Sequence, residues 1–345
     1  MSRRAQQRGR AGGGVVDDIN LWGEPPLEEE KTLMTWWPRA KSTLRSLIAV
    51  GGLLATPMTV LASGPFDINA FPVDGENRFS NVGAFIIDIV DEEGNSVGFR
   101  SHCSGALIHE RVFLTAGHCT GPGEFPKPSF LQLFVSLSPD ALDPTTWIRV
   151  ARESTDAGSG MIKWRVVTHP SIPPCPGPPG CDPTTVGIWP AGAPGIADHG
   201  LVFLEEPVRD IAPAKLAHPG TLEGQKAAHT PMTIVGYPLP SAAADESEWD
   251  GSRRIRTSSL ETVLDEDWAT WSLPSNLCFG DSGGPIFLND HPTGEKKHDR
   301  LVANVSDGGI DCLSANTNAR LDTTDVQNWI RETIKSVLNE DIADE

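Results

Sequence analysis

Positive charge is scarce in this 345-residue chain: 28 lysines and arginines face 46 aspartates and glutamates, for a formal charge of −18 at pH 7. A surface of that sign repels polyphosphates, so nucleic acid is not an expected partner. No H-E-x-x-H motif is present, and the Cys/His spacing does not match a zinc site, so neither a metal nor any other cofactor is expected. Internal repeats are missing. So is the alternation of strand-like and helical segments that builds a parallel α/β sheet. Glycine (34) and proline (29) are abundant instead, which favours a turn-rich architecture over a helical bundle. With 39% hydrophobic side chains the chain can form one large domain or two small ones and is no disordered scaffold.

Only one segment concerns a membrane. Leu47 to Ala62 (LIAVGGLLATPMTVLA) is apolar, follows Arg39, Lys41 and Arg45, and runs into Ala62-Ser63-Gly64. It is short for a bilayer span and has the layout of a signal peptide cleaved after Ala62; the alternative is a buried or anchoring helix. This layout opens at Met34, whereas residues 1–33 show neither hydrophobic periodicity nor a targeting pattern. Translation is therefore expected to start at Met34, with the purine-rich codons of Glu28-Glu29-Glu30-Lys31 serving as a ribosome-binding site. The expected organisation is 1–33 untranslated or unstructured, 34–62 signal peptide and 63–345 folded domain, secreted or periplasmic, with no stable membrane association after cleavage. All six cysteines fall in the exported part, where an even count reads as disulfides, although the count alone does not say which pair.

The exported part reads as all-β. Strand-like segments occur at Gly83 to Val90, Ser104 to Ile108, Arg111 to Ala116, Phe130 to Leu137, Trp147 to Arg152 and Met161 to Thr168. After a Pro/Gly-rich interval they resume at Gly200 to Leu204, Met232 to Tyr237, Arg253 to Val263, Trp268 to Leu273, Pro285 to Leu288 and Leu301 to Val305. Many short strands without intervening helices predict a barrel or sandwich. One helix is predicted near the C-terminus, over about 323–338: Val326, Trp329, Ile330, Ile334 and Leu338 recur at helical spacing, and Asp322-Thr323-Thr324 can cap it.

The chemistry starts at Gly280-Asp281-Ser282-Gly283-Gly284-Pro285. A serine hydroxyl is a poor nucleophile until a base takes its proton, and the oxyanion then formed needs donors already in place. Glycines around Ser282 permit a tight turn whose backbone N–H groups converge, although a glycine-flanked serine alone is often just a turn. The candidate base is His118, in Leu114-Thr115-Ala116-Gly117-His118-Cys119 at the end of an apolar strand. The orienting carboxylate is Asp198, which opens the apolar run Gly200-Leu201-Val202-Phe203-Leu204, with Asp182 in Pro-rich sequence as the rival. The same serine motif also satisfies G-x-S-x-G, the nucleophile elbow of α/β-hydrolases. That fold wants the acid and histidine after the serine and a helix following it, whereas Pro285-Ile286-Phe287 is strand-like.

LTAGHC around His118, DHGLVFL from Asp198, CFGDSGGP around Ser282 and Val305-Ser306-Asp307-Gly308 together resemble the chymotrypsin/trypsin family of serine endopeptidases, in the family order His, Asp, Ser. The resemblance spans roughly Gly83 to Val337. It implies two antiparallel six-stranded β-barrels, here about 79–210 and 211–321, with the site between them and a terminal helix. It implies that Ser282 attacks the peptide carbonyl, His118 moves the proton, Asp198 orients the imidazole, and the N–H groups of Gly280 and Ser282 form the oxyanion hole. Ser306 is then expected to border the buried carboxylate and the substrate. Disulfides Cys103–Cys119 and Cys278–Cys312 are implied by the same resemblance; Cys175 and Cys181 remain for each other or stay free thiols. The implied activity is that of a monomeric secreted endopeptidase acting on protein or peptide substrates, the alternative being a catalytically inactive protease-like binding protein.

Departures from the family pattern bear on specificity and activation. A long Pro/Gly-rich insertion separates His169-Pro170 from Asp198, and it either restricts the polypeptides that enter or decorates the rim. Asp307 stands where the family usually has tryptophan: it either favours a basic substrate side chain or is simply solvated. No Lys or Arg occurs from Ser63 to Asn77, and the usual Ile-Val-Gly-Gly-like start is absent, so activation by trypsin-like cleavage in this stretch is not expected. In the family the new terminus pairs with the aspartate before the nucleophile, here Asp281, which needs some other partner if buried. Asn276 falls at the position the family places at the bottom of the primary pocket, with Leu277 making the wall more apolar and Gly308 leaving the entrance open. A buried Lys or Arg against neutral Asn276 lacks a counter-ion, so uncharged, medium to large residues are expected on the acyl side of the cleaved bond. A peptide-library profile is expected to show that preference and to shift toward Arg and Lys in Asn276→Asp; a wild-type profile dominated by basic residues defeats this reading.

Overall fold

Sixteen strands form among the described residues, and nearly all sort into two large sheets that are antiparallel but for one short pair. The computed structural model describes residues 66–91, 93–121, 131–153, 163–172, 195–225, 230–241, 244, 248–271, 277–289, 299–307, 311–313 and 316–340. The expected leader and signal segment (1–62), Cys175, Cys181, Asp182, Asn276 and Gly308 lie outside the described residues, as does most of the insertion before Asp198.

The first sheet is built from β1 (Val82–Val90), β2 (Ser96–His109), β3 (Val112–Thr115), β4 (Leu131–Ser136) and β5 (Trp147–Arg149). A short pair, β6 (Arg152–Glu153) and β7 (Lys163–Trp164), precedes β8 (Val166–Thr168) and β9 (Gly200–Phe203). The sheet order is β5-β4-β1-β2-β3-β9-β8. It curls until the chain just beyond its edge strand β5 touches the end of β9, through a bridge between Val150 and Leu204 and a 2.7 Å bond from Ala151 N–H to the Phe203 carbonyl. The second sheet contains β10 (Lys215–Leu216), β11 (Pro231–Gly236), β12 (Arg254–Val263), β13 (Trp268–Trp271), β14 (Pro285–Asn289), β15 (Asp299–Asp307) and β16 (Thr317–Arg320). Here β15, β14, β11, β12, β13 and β16 follow one another and β16 pairs back onto β15, closing a six-stranded barrel, while β10 adds a parallel pair at Lys215 and Arg300.

The expectation of two closed barrels is thus corrected for the first half, which is an open half-barrel beside one closed barrel. At its closing edge the chain leaves the three-residue β5 for a separate hairpin, so one bridge stands where a ladder is needed. Among the described residues three α-helices accompany the sheets: α1 (Gly117–Thr120), α2 (Thr221–Gln225) and α3 (Thr324–Leu338). The C-terminal helix matches its predicted span and buries Val326, Ile330 and Ile334, but the cap differs. Thr323 occupies the N-cap position without a side-chain bond, and Asp322 is engaged elsewhere: it accepts from Leu222 N–H at 2.7 Å and from the Arg320 guanidinium at 3.0 Å.

Apolar side chains gather in three clusters. One belongs to the half-barrel (Phe85, Leu107, Phe113, Leu133, Trp164), one to the closed barrel (Met232, Ile234, Leu260, Trp271, Val302), and one draws on both and on α3 (Ile86, Leu114, Tyr237, Phe287, Ile330). Within this shared interior lies a fully buried cation, Arg253. Its guanidinium donates to the carbonyls of Val82 (2.8 Å) and Leu137 (3.1 Å) in the half-barrel, to Asp74 (3.1 Å), and to Asn77. Tyr237 donates to the Ser138 carbonyl at 2.6 Å, and burial pushes its phenol up to about 12, so it stays neutral. Removing the guanidinium takes from Asp74 its buried charge partner, leaving it two backbone amides and the half-exposed Arg78 at 3.8 Å, and takes a donor from two carbonyls, so Arg253→Met is expected to cost about 3–5 kcal/mol in urea denaturation; a loss below ~1 kcal/mol refutes this account.

Candidate active site

Strand β3 delivers the histidine. Its apolar residues Val112–Thr115 are all buried, and the chain turns at Ala116 into α1, which carries His118. Cys119, the next residue, is bonded to Cys103 on β2, which fixes that turn to the sheet with Cα atoms 6.3 Å apart. A cross-link closing a loop of this length contributes about 3 kcal/mol. Sulfur atoms of both cysteines lie near the His118 ring, but in the disulfide neither offers a thiolate to a metal.

Strand β9 delivers the carboxylate. It pairs antiparallel with β3, Thr115 opposite Gly200, which brings Asp198 against α1. Asp198 Oδ1 accepts the backbone N–H of His118 at 2.8 Å, and Oδ2 lies 2.8 Å from His118 Nδ1. The same Oδ2 accepts the Ser306 hydroxyl at 2.5 Å, so Ser306 borders the carboxylate. Of the two carboxylates considered from the sequence, Asp198 is the one joined to His118, while Asp182 lies outside the described residues. Asp198 is 5% exposed. Burial raises its pKa, but the His118 charge and the bonds from His118 and Ser306 outweigh burial and hold it well below the usual carboxylate range. His118 moves the other way: burial lowers it, and the attraction and hydrogen bond of Asp198, with a further contribution from Asp307, leave it above its ordinary value.

The serine turn follows from its glycines. Gly280 and Gly283 have φ of +89° and +79°, and a Cβ on Gly283 would lie 2.1 Å from Thr115 Oγ1 and 2.6 Å from Ala116 N. Only glycine lets the turn lie this close to the strand that runs into His118. Within the turn, the amides of Asp281, Gly283 and Gly284 donate to the carbonyls of Cys278 (3.0 Å), Val305 (2.7 Å) and Asp281 (2.7 Å). Among the described residues, the amides of Gly280 and Ser282 donate to no carbonyl. No hydrogen bond joins the Ser282 hydroxyl to the His118 ring; in ligand-free sites this bond is commonly long and tightens on substrate binding. The Cys278–Cys312 disulfide, with Cα atoms 4.6 Å apart, anchors the turn's other end. Leu277 is fully buried in the closed-barrel cluster, and Asp307 is exposed at the end of β15.

Three positioning residues carry no motif and were not found in the sequence. Ser104, fully buried on β2, gives its N–H to the Ser282 carbonyl (2.7 Å) and its hydroxyl to the Gly280 carbonyl (2.7 Å), and accepts Tyr237 N–H (2.9 Å). Asn304 donates to the Asp198 carbonyl at 3.1 Å and meets the buried His199 ring at 2.6 Å; burial pushes that imidazole down to about 4. Arg256, on β12, pairs with both carboxylate oxygens of Asp281, and Cys278 N–H adds a third bond at 3.0 Å. The only available signal was negative, the absence of Lys and Arg from Ser63 to Asn77, which demanded some other partner for Asp281 if buried. No protein-family model and no curated protein matches the chain, so a functional reading rests on these residues themselves.

The His118–Asp198 pair has opposite linkage at its two ends. Stability from the lowered Asp198 is lost as pH falls through its depressed pKa; that from the raised His118 is complete below the unfolded value of 6.5 and lost as pH rises through the folded one. Asp307→Asn deletes one charge holding His118 up, so the imidazole is expected to titrate at lower pH by NMR while its bond to Asp198 persists. An unchanged titration shows that Asp307 does not act on this ring.

Proposed function

We propose that the chain is a secreted serine endopeptidase that cleaves peptide bonds through an acyl-enzyme. The observation that carries this reading is the Asp198 carboxylate held against both the backbone N–H and Nδ1 of His118 and capped by Ser306. With Nδ1 engaged, Nε2 is the nitrogen left to take a proton. In this reading Ser282 Oγ attacks the substrate carbonyl carbon as its proton passes to His118 Nε2. The carbonyl oxygen becomes an anion, and the amides of Gly280 and Ser282, which donate to no carbonyl among the described residues, are the donors that receive it, each worth roughly 3–4 kcal/mol in such sites. Collapse breaks the C–N bond, and the imidazolium returns its proton to the departing amine. Water then repeats the sequence on the ester, freeing the acid and restoring Ser282. Asp198, kept ionised by its partners, stabilises the imidazolium in both halves.

Several features support the remaining parts of the proposal. The Cys103–Cys119 and Cys278–Cys312 disulfides suit an oxidising compartment, and among the described residues no helix is long and apolar enough to cross a membrane. Arg256 already neutralises Asp281, which supports activity without a terminus released by cleavage after a basic residue. Substrates are polypeptides, the enzyme acts as a monomer, and neither cofactor nor nucleic acid takes part. The decisive experiment is active-site labelling of the secreted protein with a fluorophosphonate. Wild type is expected to label, Ser282→Ala not at all, and His118→Ala to lower kcat by about 10⁴-fold or more. Failure of folded wild type to label favours the alternative, a protease-like binding protein.

A further inference from the structure

The segment before the first strand is fastened to the strand that carries Arg256. A single 3₁₀ turn, Ile68–Ala70, leads into Phe71, whose carbonyl accepts Arg254 Nη1 at 3.1 Å. The Pro72 carbonyl accepts Ile255 N–H at 3.0 Å, Val73 bridges Arg254 antiparallel, and Asp74 N–H donates to the Arg253 carbonyl at 2.9 Å. Asp74 is itself bound by Arg253 Nε and by the amides of Arg78 and Phe79. Residues 71–74 thus form a short extra edge along the start of β12. The same edge sets an aromatic ring over the Arg256 guanidinium: the Arg256 carbon lies 6.0 Å from the Phe71 ring centre, and the Phe66 ring backs Phe71 at 5.9 Å. Arg256 is only 3% exposed. Its guanidinium carbon therefore lies over an aromatic ring while its terminal nitrogens bond the Asp281 carboxylate.

That arrangement restrains the cation as well as shielding it. A desolvated guanidinium against an aromatic face gains attraction and loses competing water, and its fork then presents a fixed geometry to the carboxylate. Asp281 lies between the amides of Gly280 and Ser282, and its own carbonyl accepts Gly284 N–H at 2.7 Å, so a displaced Asp281 carries the turn with it. We propose that residues 66–74 are an internal strap that positions Arg256 through Phe71, and through Arg256 the Asp281–Ser282 turn. Phe71 is a positioning residue, since it acts on the turn only through Arg256. The proposal rests on the endopeptidase reading for its kinetic consequence alone; the ordering of the turn is independent of it. Its sign is the reverse of zymogen activation, because loosening the segment ahead of the first strand weakens the site.

The test compares full-length wild type, Phe71→Ala and Phe71→Tyr by hydrogen exchange of the amides in 277–284, by kcat and KM on a peptide substrate, and by thermal melting. Phe71→Ala is expected to speed exchange at Asp281, Gly283 and Gly284 and to lower kcat three- to tenfold with a smaller change in KM; Phe71→Tyr, which keeps the ring, restores both. Unchanged exchange in 277–284 in folded Phe71→Ala overturns the proposal, and so does a rise in kcat. If no variant, wild type included, hydrolyses peptide, the endopeptidase reading falls while the exchange data still decide the strap. Should Phe71→Ala melt below the assay temperature, Phe71→Leu, which keeps apolar bulk without a ring face, gives the same comparison.

Discussion

A guanidinium cannot be dehydrated cheaply. Sealed in an apolar interior, it must find an acceptor for its donors or cost several kcal/mol, and whatever supplies those acceptors becomes fixed in turn. Two such cations flank the start of β12, Arg253 just before it and fully buried, Arg256 within it and nearly so. Arg253 fixes Asp74, Asn77 and two carbonyls of the half-barrel, so one residue defines how the two sheets and the preceding segment meet. Arg256 fixes Asp281 and with it the turn that presents Ser282. The most exacting demands of the fold and of the candidate site therefore come from two residues three apart at the head of one strand.

The opposing side of the site is held by neutral groups. Ser104 uses its amide, hydroxyl and carbonyl together: the first two hold Ser282 and Gly280, and the carbonyl accepts Thr115 Oγ1 at 2.7 Å. Thr115 lies three residues before His118, so the serine turn and the histidine turn are referenced to the same backbone of β2 rather than to each other. Because these dipoles are buried, little water competes for them, which makes the geometry stiff.

What was legible in the sequence was what hydrophobicity or a motif writes down. Strands rich in Val, Ile and Phe, such as β1, β11 and β14, lie where their apolar runs place them, and α3 follows its i, i+3, i+4 spacing. Residues buried by pairing were not legible. Strand β16 reads Thr-Asn-Ala-Arg and looks solvated, yet Arg320 is buried because Asp322 and Glu223 meet it at 3.0 and 2.6 Å. Ser104, Asn304 and Arg256 escaped notice for the same reason: a polar residue's partner lies far along the chain, and composition gives no clue to it. The open edge of the half-barrel was equally hidden, since closure depends on whether distant strands meet in register.

The insertion between the histidine and the carboxylate begins and ends at a clasp. Thr168 pairs with Gly200, His169 N–H donates to the His199 carbonyl at 2.9 Å, and the Ser171 hydroxyl accepts Ala197 N–H at 2.8 Å. The described residues on either side of 173–194 are therefore pinned to one another. Doubling the length of a loop between pinned ends costs only about 0.6 kcal/mol in closure entropy. The Asp198–His118 contact is mechanically insulated from that length. Over evolutionary time this interval is free to grow, shrink or change composition while its pinned ends keep the pair in place.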